Sequence, residues 1–458
     1  MTSTIWAESA LLNSGWAESV EFKIDADGNI ESIAANKPYQ SGDKTGVVIP
    51  AIPNVHSHAH QRAMSGLGER AGLTGDAAKD SFWTWRKVMY HYLERIQPEH
   101  LYHIAAQLYL EMLKSGYSCV GEFQYLHHDL DGKAYDDPAE MSLQCMRAAQ
   151  AVGLGFTALP VLYRFGGFGS ADSLPGQKRF INDADGFINI VQTLQRNCAD
   201  DSNNSVGIAP HSLRAISQPL LSEVIASLDG LAAIHIHIAE QTKEVADCLE
   251  WSGTRPVQWL FKHFEVDPSW CLIHATHMSD SETQTMAKSG CIAGLCPTTE
   301  GNLGDGFFNA VDYFEAGGRW AIGSDSHISI DPVEELRWLE YGQRLVTRQR
   351  NVLVNTGISS TARSLLDSSL AGGAQAMGRK IGSLQVGYRA DLVVLDDQHP
   401  RLYGRREDNL LDSWVFSGNE CLVRDVYVGG RKVIDKGHHA NEVEVAENYR
   451  RCIDQLAE

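Results

Sequence analysis

Short β-branched runs alternate with longer helical patterns over most of the 458 residues. Such alternation is typical of β-α-β units that build a parallel sheet. The helical pattern is clear at 101–115, where Leu101, Ile104, Leu108 and Met112 recur at three- or four-residue steps. The runs of strand character lie at 46–55, 118–123, 155–161, 206–210, 233–238, 271–275, 291–296 and 320–323. Eight such strands predict a closed (β/α)₈ barrel of the TIM type, which takes about 250 residues.

The barrel leaves residues over at both chain ends, and both remainders consist of short strand patterns with turns. Small β pieces of this kind are unstable alone, so we expect them to pair in one β-sandwich beside the barrel. The α/β chain is therefore predicted to divide into four parts: residues 1–48 and 382–437 as the two halves of the sandwich, 49–381 as the barrel, and 438–458 as a C-terminal helix.

The charge balance excludes several classes of partner. The chain has 39 Lys and Arg against 58 Asp and Glu, a net charge of −19, whereas a nucleic acid or an anionic membrane requires a basic surface. Residues 1–16 lack the basic and apolar regions of a signal peptide, and no apolar run approaches the roughly 18 residues of a membrane span. We therefore expect a cytoplasmic protein that acts on a small molecule.

Histidines follow the first predicted barrel strand, at the end of a barrel where active sites lie. Residues two apart in extended backbone face the same side, so His56 and His58 can direct both imidazoles to one point. This is a metal-ligand spacing, although a polar turn with chance histidines is the simpler alternative. His60 continues the alternation as a third ligand or, as we expect, as a residue that packs against or lines the pocket.

A later apolar strand contains His235 and His237 and is followed by Glu240. A buried carboxylate is costly unless it has a task or a partner. Glu240 is well placed for proton transfer to a group bound at the metal. We expect His235 to be a core histidine rather than a ligand.

His274 and Asp325 lie at the ends of two further strands. Asp325 offers an oxygen ligand and a base, and His274 offers an imidazole that orients a water molecule. Each has a structural explanation alone, but four strand ends that all supply His or Asp are hard to attribute to chance. A His-x-His pair, a mid-chain His and a late Asp suit zinc or another divalent transition metal. The chain is therefore predicted to be a metal-dependent hydrolase.

The lysine distribution favours one metal ion over two. Two-metal barrel hydrolases of this general type commonly bridge their ions with a modified lysine at a mid-barrel strand end. Between residues 115 and 235 the lysines are Lys133 and Lys178, both in loop-like sequence. We therefore expect a mononuclear site.

The pattern resembles the amidohydrolase superfamily, whose barrel and split β-sandwich match the whole chain. Longer local runs narrow the resemblance to the formimidoylglutamate deiminases within it. These runs are 53–64, 80–89 (DSFWTWRKVM), 127–131 (HHDLD), 211–215 (HSLRA), 235–241, 299–306 (TEGNLGDG) and 333–345 (VEELRWLEYGQRL). The resemblance implies hydrolysis of the formimino C=N bond of N-formimino-L-glutamate, a step of histidine degradation that releases ammonia and N-formyl-L-glutamate.

The resemblance also implies roles for individual residues. One zinc ion has four protein ligands: His56, His58, His237 and Asp325. His274 and Glu240 lie beside the attacking water. In this interpretation Asp325 takes a proton from the water, His274 steadies the resulting hydroxide, and Glu240 gives a proton to the departing nitrogen.

The substrate explains the arginines. A glutamate derivative brings two carboxylates into a protein of charge −19, so Arg side chains, which bind carboxylates bidentately, must hold them locally. The resemblance implies substrate contacts from Gln61, Arg86, Tyr125, His211 and Arg214. It also implies a homodimer, with Arg86 a candidate to reach across the interface. The simpler alternatives are an Arg86 stacked on a tryptophan and an Arg214 in a surface ion pair.

Two positions depart from the family pattern. His60 stands where Phe is expected, and Gln124 stands where His is expected, so pocket shape and pH dependence are affected rather than the ligand set. For His127, His128 and His277 we predict packing or support of the site rather than ligation.

Two other functions remain open. A deaminase of a nucleobase or a guanidino compound shares the metal chemistry but needs a neutral, aromatic-lined pocket. A metal-stabilised scaffold needs a closed site without a proton donor. The two arginines and Glu240 favour a hydrolase of an acidic substrate over both.

Overall fold

The computed structural model describes residues 3–69, 82–199 and 201–457. The strands are β1 Ser3–Leu12, β2 Gly15–Ile24, β3 Ile30–Ala34, β4 Asp43–Pro50, β5 Ile52–Ser57, β6 Tyr117–Gln124, β7 Gly155–Leu162, β8 Asn204–Val206, β9 Ala209–Pro210, β10 Ile234–Ile238, β11 Trp270–His274, β12 Ile292–Leu295, β13 Arg319–Ile322, β14 Leu392–Leu395, β15 Val423–Val428 and β16 Arg431–Ile434. The helices are α1 Phe82–Leu93, α2 Pro98–Ser115, α3 Glu140–Val152, α4 Ala184–Cys198, α5 Gln218–Ser227, α6 Thr242–Ser252, α7 Pro256–His263, α8 Asp280–Ser289, α9 Pro297–Leu303, α10 Ala310–Glu315, α11 Pro332–Thr347, α12 Thr361–Ala376, α13 Glu407–Phe416 and α14 Glu442–Ala457. Asp80 and Ser81, which open the run at 80–89, lie outside the described residues.

The central strands form two parallel sheets. β5, β6, β7 and β8 pair in that order, with β9 also on β7, and β10 to β13 pair in chain order. Isolated parallel bridges join the two sheets at both edges, between Ile208 and Ile234 on one side and between Ser57 and Asp325 on the other. The predicted α/β fold with parallel strands is confirmed. Because the strands are parallel, their carboxyl ends all lie on one side of the sheets.

The prediction of one strand over 46–55 is wrong, because this range contains two strands that belong to different sheets. β4 pairs with β1 and β14, whereas β5 pairs with β6. The ladder of β4 ends at Pro50, and the N–H of Ala51 donates instead to the carbonyl of Asp391, 3.1 Å away. The uninterrupted apolar run concealed this change of sheet, since both strands are buried.

The fourth predicted strand, 206–210, is also two pieces, β8 and β9. The break falls at Gly207, where a Cβ would lie 2.5 Å from the carbonyl oxygen of Ala233. Only glycine fits this approach of the chain to the start of β10.

Both chain ends contribute to one seven-stranded sheet with the order β16-β15-β14-β4-β1-β2-β3. Alternate residues of β14 face opposite sides, as a strand requires. Leu392 and Val394 join a small core with Phe22, and Val393 and Leu395 join the main core. The predicted pairing of the two ends is present, whereas their arrangement as a sandwich and the domain boundaries stay predictions.

The C-terminal helix α14 packs on α2 through its buried Cys452 and Leu456. Lys114 Nζ and Glu442 Oε2 form an ion pair of 2.8 Å between the two helices. Over the described residues, every helix is too short or too polar to span a membrane.

Replacing Gly372 by Ala is expected to destabilise the protein by about 1–3 kcal/mol. Gly372 lies in α12, where Ala would ordinarily gain about 1 kcal/mol of helix propensity. A Cβ there would overlap the backbone carbonyl of Trp320 in β13, and a backbone group cannot move aside. The free energy of unfolding from urea denaturation measures the difference.

Gly342 in α11 provides the matched control. A Cβ there would lie 2.9 Å from the ring of Phe307, which is 54% exposed and can rotate away. We expect Gly342→Ala to be neutral or stabilising. Equal losses for both variants would contradict the steric explanation.

Candidate metal centre

The predicted metal ligands come from three strands of the two parallel sheets. His56 is in β5 and His58 directly follows it, His237 is in β10, and Asp325 follows β13. His56 Nε2 lies 3.0 Å from His237 Nε2. Asp325 Oδ1 lies 3.5 Å from His56 Nε2 and 3.3 Å from His58 Nε2. Single ligand atoms of His56, His58 and His237 lie within 4.8 Å of one another, Asp325 lies beside His56 and His58, and all four side chains are buried.

Backbone hydrogen bonds select which imidazole nitrogen faces this point. His58 Nδ1 lies 2.9 Å from the carbonyl of Phe123, and His237 Nδ1 lies 3.0 Å from the carbonyl of His211. A carbonyl only accepts, so each Nδ1 carries the proton and each Nε2 keeps a lone pair. Burial lowers the pKa of His58 and His237 and lowers that of His56 to about 3. The three imidazoles are therefore neutral, the form that binds metals.

These positions fit a metal ion of zinc size. Metal–nitrogen bonds of 2.0–2.1 Å at a tetrahedral angle separate two nitrogens by about 3.3 Å. The separations of 3.0–3.5 Å among the donor atoms are close to that value. His56 Nδ1 has no hydrogen-bond partner among the described residues, so no backbone contact fixes the tautomer of His56. Three imidazoles and one carboxylate could therefore hold one divalent metal.

The backbone is strained at the same strand ends. Ala239, His274, Ala275, Asp325 and His327 all have φ between 44° and 67°. Each non-glycine residue in the left-handed region costs roughly 1–3 kcal/mol, and such residues gather at functional sites. This backbone turns the side chains that follow β10, β11 and β13 into the site.

Glu240 and His274 lie beside the four donors. His274 Nε2 is 3.9 Å from Glu240 Oε1 and 3.7 Å from Asp325 Oδ2. Burial raises the pKa of Glu240. Burial alone would lower the pKa of His274, but the carboxylates of Glu240, Glu300 and Asp325 raise it to about 10. A protonated imidazole and a carboxyl group whose pKa burial raises to about 7 therefore stand next to Asp325.

Glu300 is a functional residue that sequence reasoning missed. Its Oε1 lies 3.2 Å from His274 Nδ1 and accepts the N–H of Cys296 at 2.8 Å. It thereby fixes the ring orientation of His274. The only sequence signal was its place in the family-like run TEGNLGDG.

The cleft above the donors contains every predicted substrate contact. Its lining includes Gln61, Arg86, Tyr125, His211 and Arg214, together with Phe82, Trp85, Met89, Tyr90, Tyr163, Phe180, Leu303 and Ser326. The hydroxyl of Tyr125 lies 3.3 Å from Gln61 Nε2. Burial and the nearby Arg214 lower the pKa of His211, so this residue is neutral. Aromatic side chains thus surround a few polar groups that converge on the donors.

Arg214 is the buried cation of the cleft. Its side chain is 8% exposed, and its Nη1 lies 3.7 Å from Glu244 Oε2. Its Nε and Nη1 have no hydrogen-bond partner among the described residues. Its guanidinium also lies 5.6 Å from the ring centre of Trp83. The simpler alternative, a surface ion pair, is wrong because both Arg214 and Glu244 are buried.

Arg86 lies in the cleft of its own chain. It follows Trp83 on α1, and its guanidinium stacks 4.6 Å from that ring. Arg86 and Arg214 therefore approach the same Trp83 ring, at 4.6 and 5.6 Å from its centre. Arg86 thus has both the predicted place in the cleft and the alternative stacking on a tryptophan. Its contact across a dimer interface stays a prediction.

The remaining histidines have packing contacts. His60 Nε2 lies 2.7 Å from the hydroxyl of Tyr125, so it supports a cleft residue. His127, His128, His235 and His277 each place Nε2 within 2.9 Å of a backbone carbonyl. Gln124 lies within 3.5 Å of the buried Cys145. These residues do not join the four donors.

Known proteins and protein families match nearly the whole chain. Residues 47–433 match the amidohydrolase family, and residues 2–46 match the N-terminal domain of formimidoylglutamate deiminase HutF. Formimidoylglutamate deiminase from Pseudomonas aeruginosa is 50% identical over 99% of each chain. 5'-Deoxyadenosine deaminase from Methanopyrus kandleri is 25% identical, over 96% of this chain and 95% of its own.

Solved structures are similar over the same length. The crystal structure of an amidohydrolase from Brucella melitensis has a TM-score of 0.94 and 44% identity, over 100% of both chains. An adenosine deaminase from Xanthomonas campestris with bound zinc has a TM-score of 0.80 over 99% of this chain and 98% of its own. At 20% identity, the latter shows the fold alone.

Proposed function

Because the chain belongs to the amidohydrolase family, we propose that this hydrolase acts on N-formimino-L-glutamate in histidine degradation. Water replaces the imino nitrogen at the formimino carbon, giving N-formyl-L-glutamate and ammonia. The observation that carries the proposal is the buried, cationic Arg214 in the same cleft as the donors His58, His237 and Asp325. A nucleobase offers no anion to this guanidinium, whereas a glutamate derivative offers two. The 50% identity to a formimidoylglutamate deiminase supports the same choice.

We propose that the donors hold one zinc ion: His56, His58, His237 and Asp325. A divalent metal in such a site supplies Lewis-acid polarisation and makes water easier to deprotonate. The lone pairs of the three neutral imidazoles and the carboxylate of Asp325 support this assignment.

The side chains around the donors would move the protons. Asp325 accepts a proton from the attacking water, while His274, oriented by Glu300, donates from Nε2 to the developing hydroxide. Glu240 then protonates the departing nitrogen, since burial raises its pKa to about 7 and a fraction of the carboxyl groups is protonated near neutral pH. Two protons must reach that nitrogen: Glu240 gives the first as the C–O bond forms, and Asp325 returns the proton it took from water as the second. The C–N bond then breaks, ammonia leaves, and the hydroxyl proton on the former formimino carbon passes to Glu240 as the formyl C=O forms.

Arg214 would bind one substrate carboxylate and Arg86 the other, with Gln61, Tyr125 and His211 orienting the chain between them. Two guanidinium groups near the same Trp83 ring, and both in the cleft, support this arrangement. A bidentate Arg–carboxylate contact in a buried cleft is strong enough to overcome the overall negative field.

The finer features of the fold belong to the same proposal. The bridged parallel sheets support a (β/α)₈ barrel over residues 49–381, with a β-sandwich from residues 1–48 and 382–437 and a helical end at 438–458. Exposed apolar side chains on α11, among them Trp338, Leu345 and Val346, support the homodimer. The cytoplasmic location stays a prediction.

Ammonia release by the purified protein tests the function. We expect release from N-formimino-L-glutamate with zinc bound, much slower release from N-formimino-L-aspartate, and none from guanine. Chelation should abolish the activity and added zinc should restore it. Release from guanine alone would contradict the substrate, and full activity after complete removal of metal would contradict the metal centre.

A further inference from the structure

The seam between β5 and β13 lies directly beneath the candidate metal centre. Among the described residues its backbone bridge is the single pair Ser57–Asp325, whereas β6 and β7 pair at six successive positions. The N–H of Asp325 donates to the carbonyl of His56 at 3.0 Å. The two segments are so close that a Cβ on Gly323 would lie 2.7 Å from His56 Cβ. Two strand ends that carry three of the four donors are thus joined by little backbone.

Side chains supply the missing connection. Asn54 Nδ2 donates to Ser324 Oγ at 2.7 Å, and Asn54 Oδ1 accepts the N–H of Ser324 at 3.1 Å. Ser324 Oγ lies 3.1 Å from His327 Nδ1, and His327 Nε2 lies 3.3 Å from Ser57 Oγ. Ser57 Oγ donates to Glu122 Oε2 at 2.6 Å. These five buried residues, here called the seam network, connect β5, β6 and the end of β13.

The hydrogen bonds of the seam network run in one direction. Ser57 donates to Glu122, whose pKa burial raises to about 7, and it accepts from His327 in the tautomer that carries the proton on Nε2. His327 Nδ1 then accepts from the hydroxyl of Ser324, which accepts from Asn54. Glu122 also accepts the N–H of Ala59 at 2.7 Å and the hydroxyl of Tyr109 at 3.0 Å. Every member thus has at least one hydrogen-bond partner within the seam network.

Two members of the seam network, Ser57 and Ser324, alternate with the donors along the chain, and the register of β5 is irregular between Asn54 and Ser57. Ser57 stands between His56 and His58, and alternate residues of an extended strand point to opposite sides. Ser324 directly precedes Asp325. In the described part of the chain, the lining of the cleft includes none of the five, so they have no route to the substrate.

We propose that Asn54, Ser57, Glu122, Ser324 and His327 are positioning residues that set metal affinity by fixing the distance between the β5 donors and Asp325. The inference rests on the proposed metal site, and it assigns these residues no contact with substrate or metal. Outer partners that orient metal ligands typically change metal affinity by about 10- to 100-fold when they are removed.

Zinc affinity of the metal-free protein, measured by competition with a chromogenic chelator, tests the proposal. Ser57→Ala breaks the seam network on both sides of the hydroxyl, and His327→Leu removes both imidazole contacts at similar volume. Each should weaken zinc binding by about 10- to 100-fold, while turnover at saturating zinc stays near that of the unmodified chain. Because both act through one network, the double variant should lose little more than either single variant.

Ser364→Ala is the matched control. Ser364 is also buried and accepts the N–H of Asn355 at 3.0 Å, but it lies in α12. The zinc affinity of the Ser364→Ala variant should equal that of the unmodified protein. Folding of each variant is checked by circular dichroism. If His327→Leu does not fold, the zinc affinity of the milder variant Ser57→Ala decides whether the proposal holds.

Unchanged zinc affinity in a folded Ser57→Ala would overturn the inference. Failure of the unmodified chain to bind zinc would overturn the metal site and, with it, this inference. Tight zinc binding without ammonia release from N-formimino-L-glutamate would contradict the substrate alone and leave the role of the seam network intact.

Discussion

Replacing Glu240 by Gln is expected to lower kcat for ammonia release by a factor of about 10² to 10⁴, the usual contribution of a general acid. The amide has nearly the same shape but cannot donate a proton to a leaving nitrogen. Because Glu240 is not among the four donors, zinc content should stay at one ion per chain. Steady-state kinetics and metal analysis of the same sample measure both quantities.

The pH profile separates a proton donor from a merely structural carboxylate. An acid acts only while protonated, so its contribution is present below its pKa and is lost as pH rises through it. Burial raises the pKa of Glu240, which places this loss above the ordinary range for a carboxyl group. The corresponding basic limb of kcat should be absent in Glu240→Gln.

Glu335→Gln is a suitable control for this variant. Glu335 is equally buried and accepts the N–H and hydroxyl of Thr298, but it does not line the cleft. The kcat of the Glu335→Gln variant should remain near that of the unmodified protein. Full activity in Glu240→Gln would remove this residue from the proposed proton transfer.

The strand-end histidines were predictable from the sequence because the pattern that identifies them lies in neighbouring residues of the chain. An apolar run identifies a strand, and the polar residue that follows it falls at the carboxyl end of a parallel sheet. His56, His58, His237, His274 and Asp325 all satisfy this rule, so the structure brings together residues that the sequence places at strand ends. The order of apolar runs and polar residues in the sequence is enough to place these residues at strand ends.

The partners of these residues were not predictable, since they lie far away in the chain. Glu300 reaches His274 from the helix after the next strand, and Asn54 reaches Ser324 across 270 positions. The change of sheet at Pro50 was also concealed, because β4 and β5 are both buried and apolar. These features depend on which distant segments of the chain pair with one another, and the local sequence pattern does not show that pairing.

Arg214→Leu is expected to lower kcat/KM for N-formimino-L-glutamate by about 2–5 kcal/mol, the cost of losing one partner of a buried charge pair. This corresponds to roughly 30- to 4,000-fold, mainly as a higher KM, because the carboxylate is bound equally in the ground state and the transition state. Arg214→Lys should recover only part of the loss, since an ammonium cannot form the bidentate contact.

Lys243 offers a matched control for the charge. Its Nζ lies 5.9 Å from the same Trp83 ring, but its side chain is 59% exposed and paired with Asp247. Removing this charge with Lys243→Met should change kcat/KM by less than about 1 kcal/mol, because water screens an exposed charge. Equal losses for Lys243→Met and Arg214→Leu would indicate a general field rather than a carboxylate contact.

Glu244 complicates Arg214→Leu, because the variant leaves a fully buried carboxylate without its cation. The double variant Arg214→Leu/Glu244→Gln removes both charges and should regain much of the lost stability in urea denaturation. If Arg214 binds the substrate, the high KM must persist in this stabilised double variant. Recovery of KM together with stability would show instead that Arg214 only neutralises Glu244, and the substrate carboxylate would then need another partner.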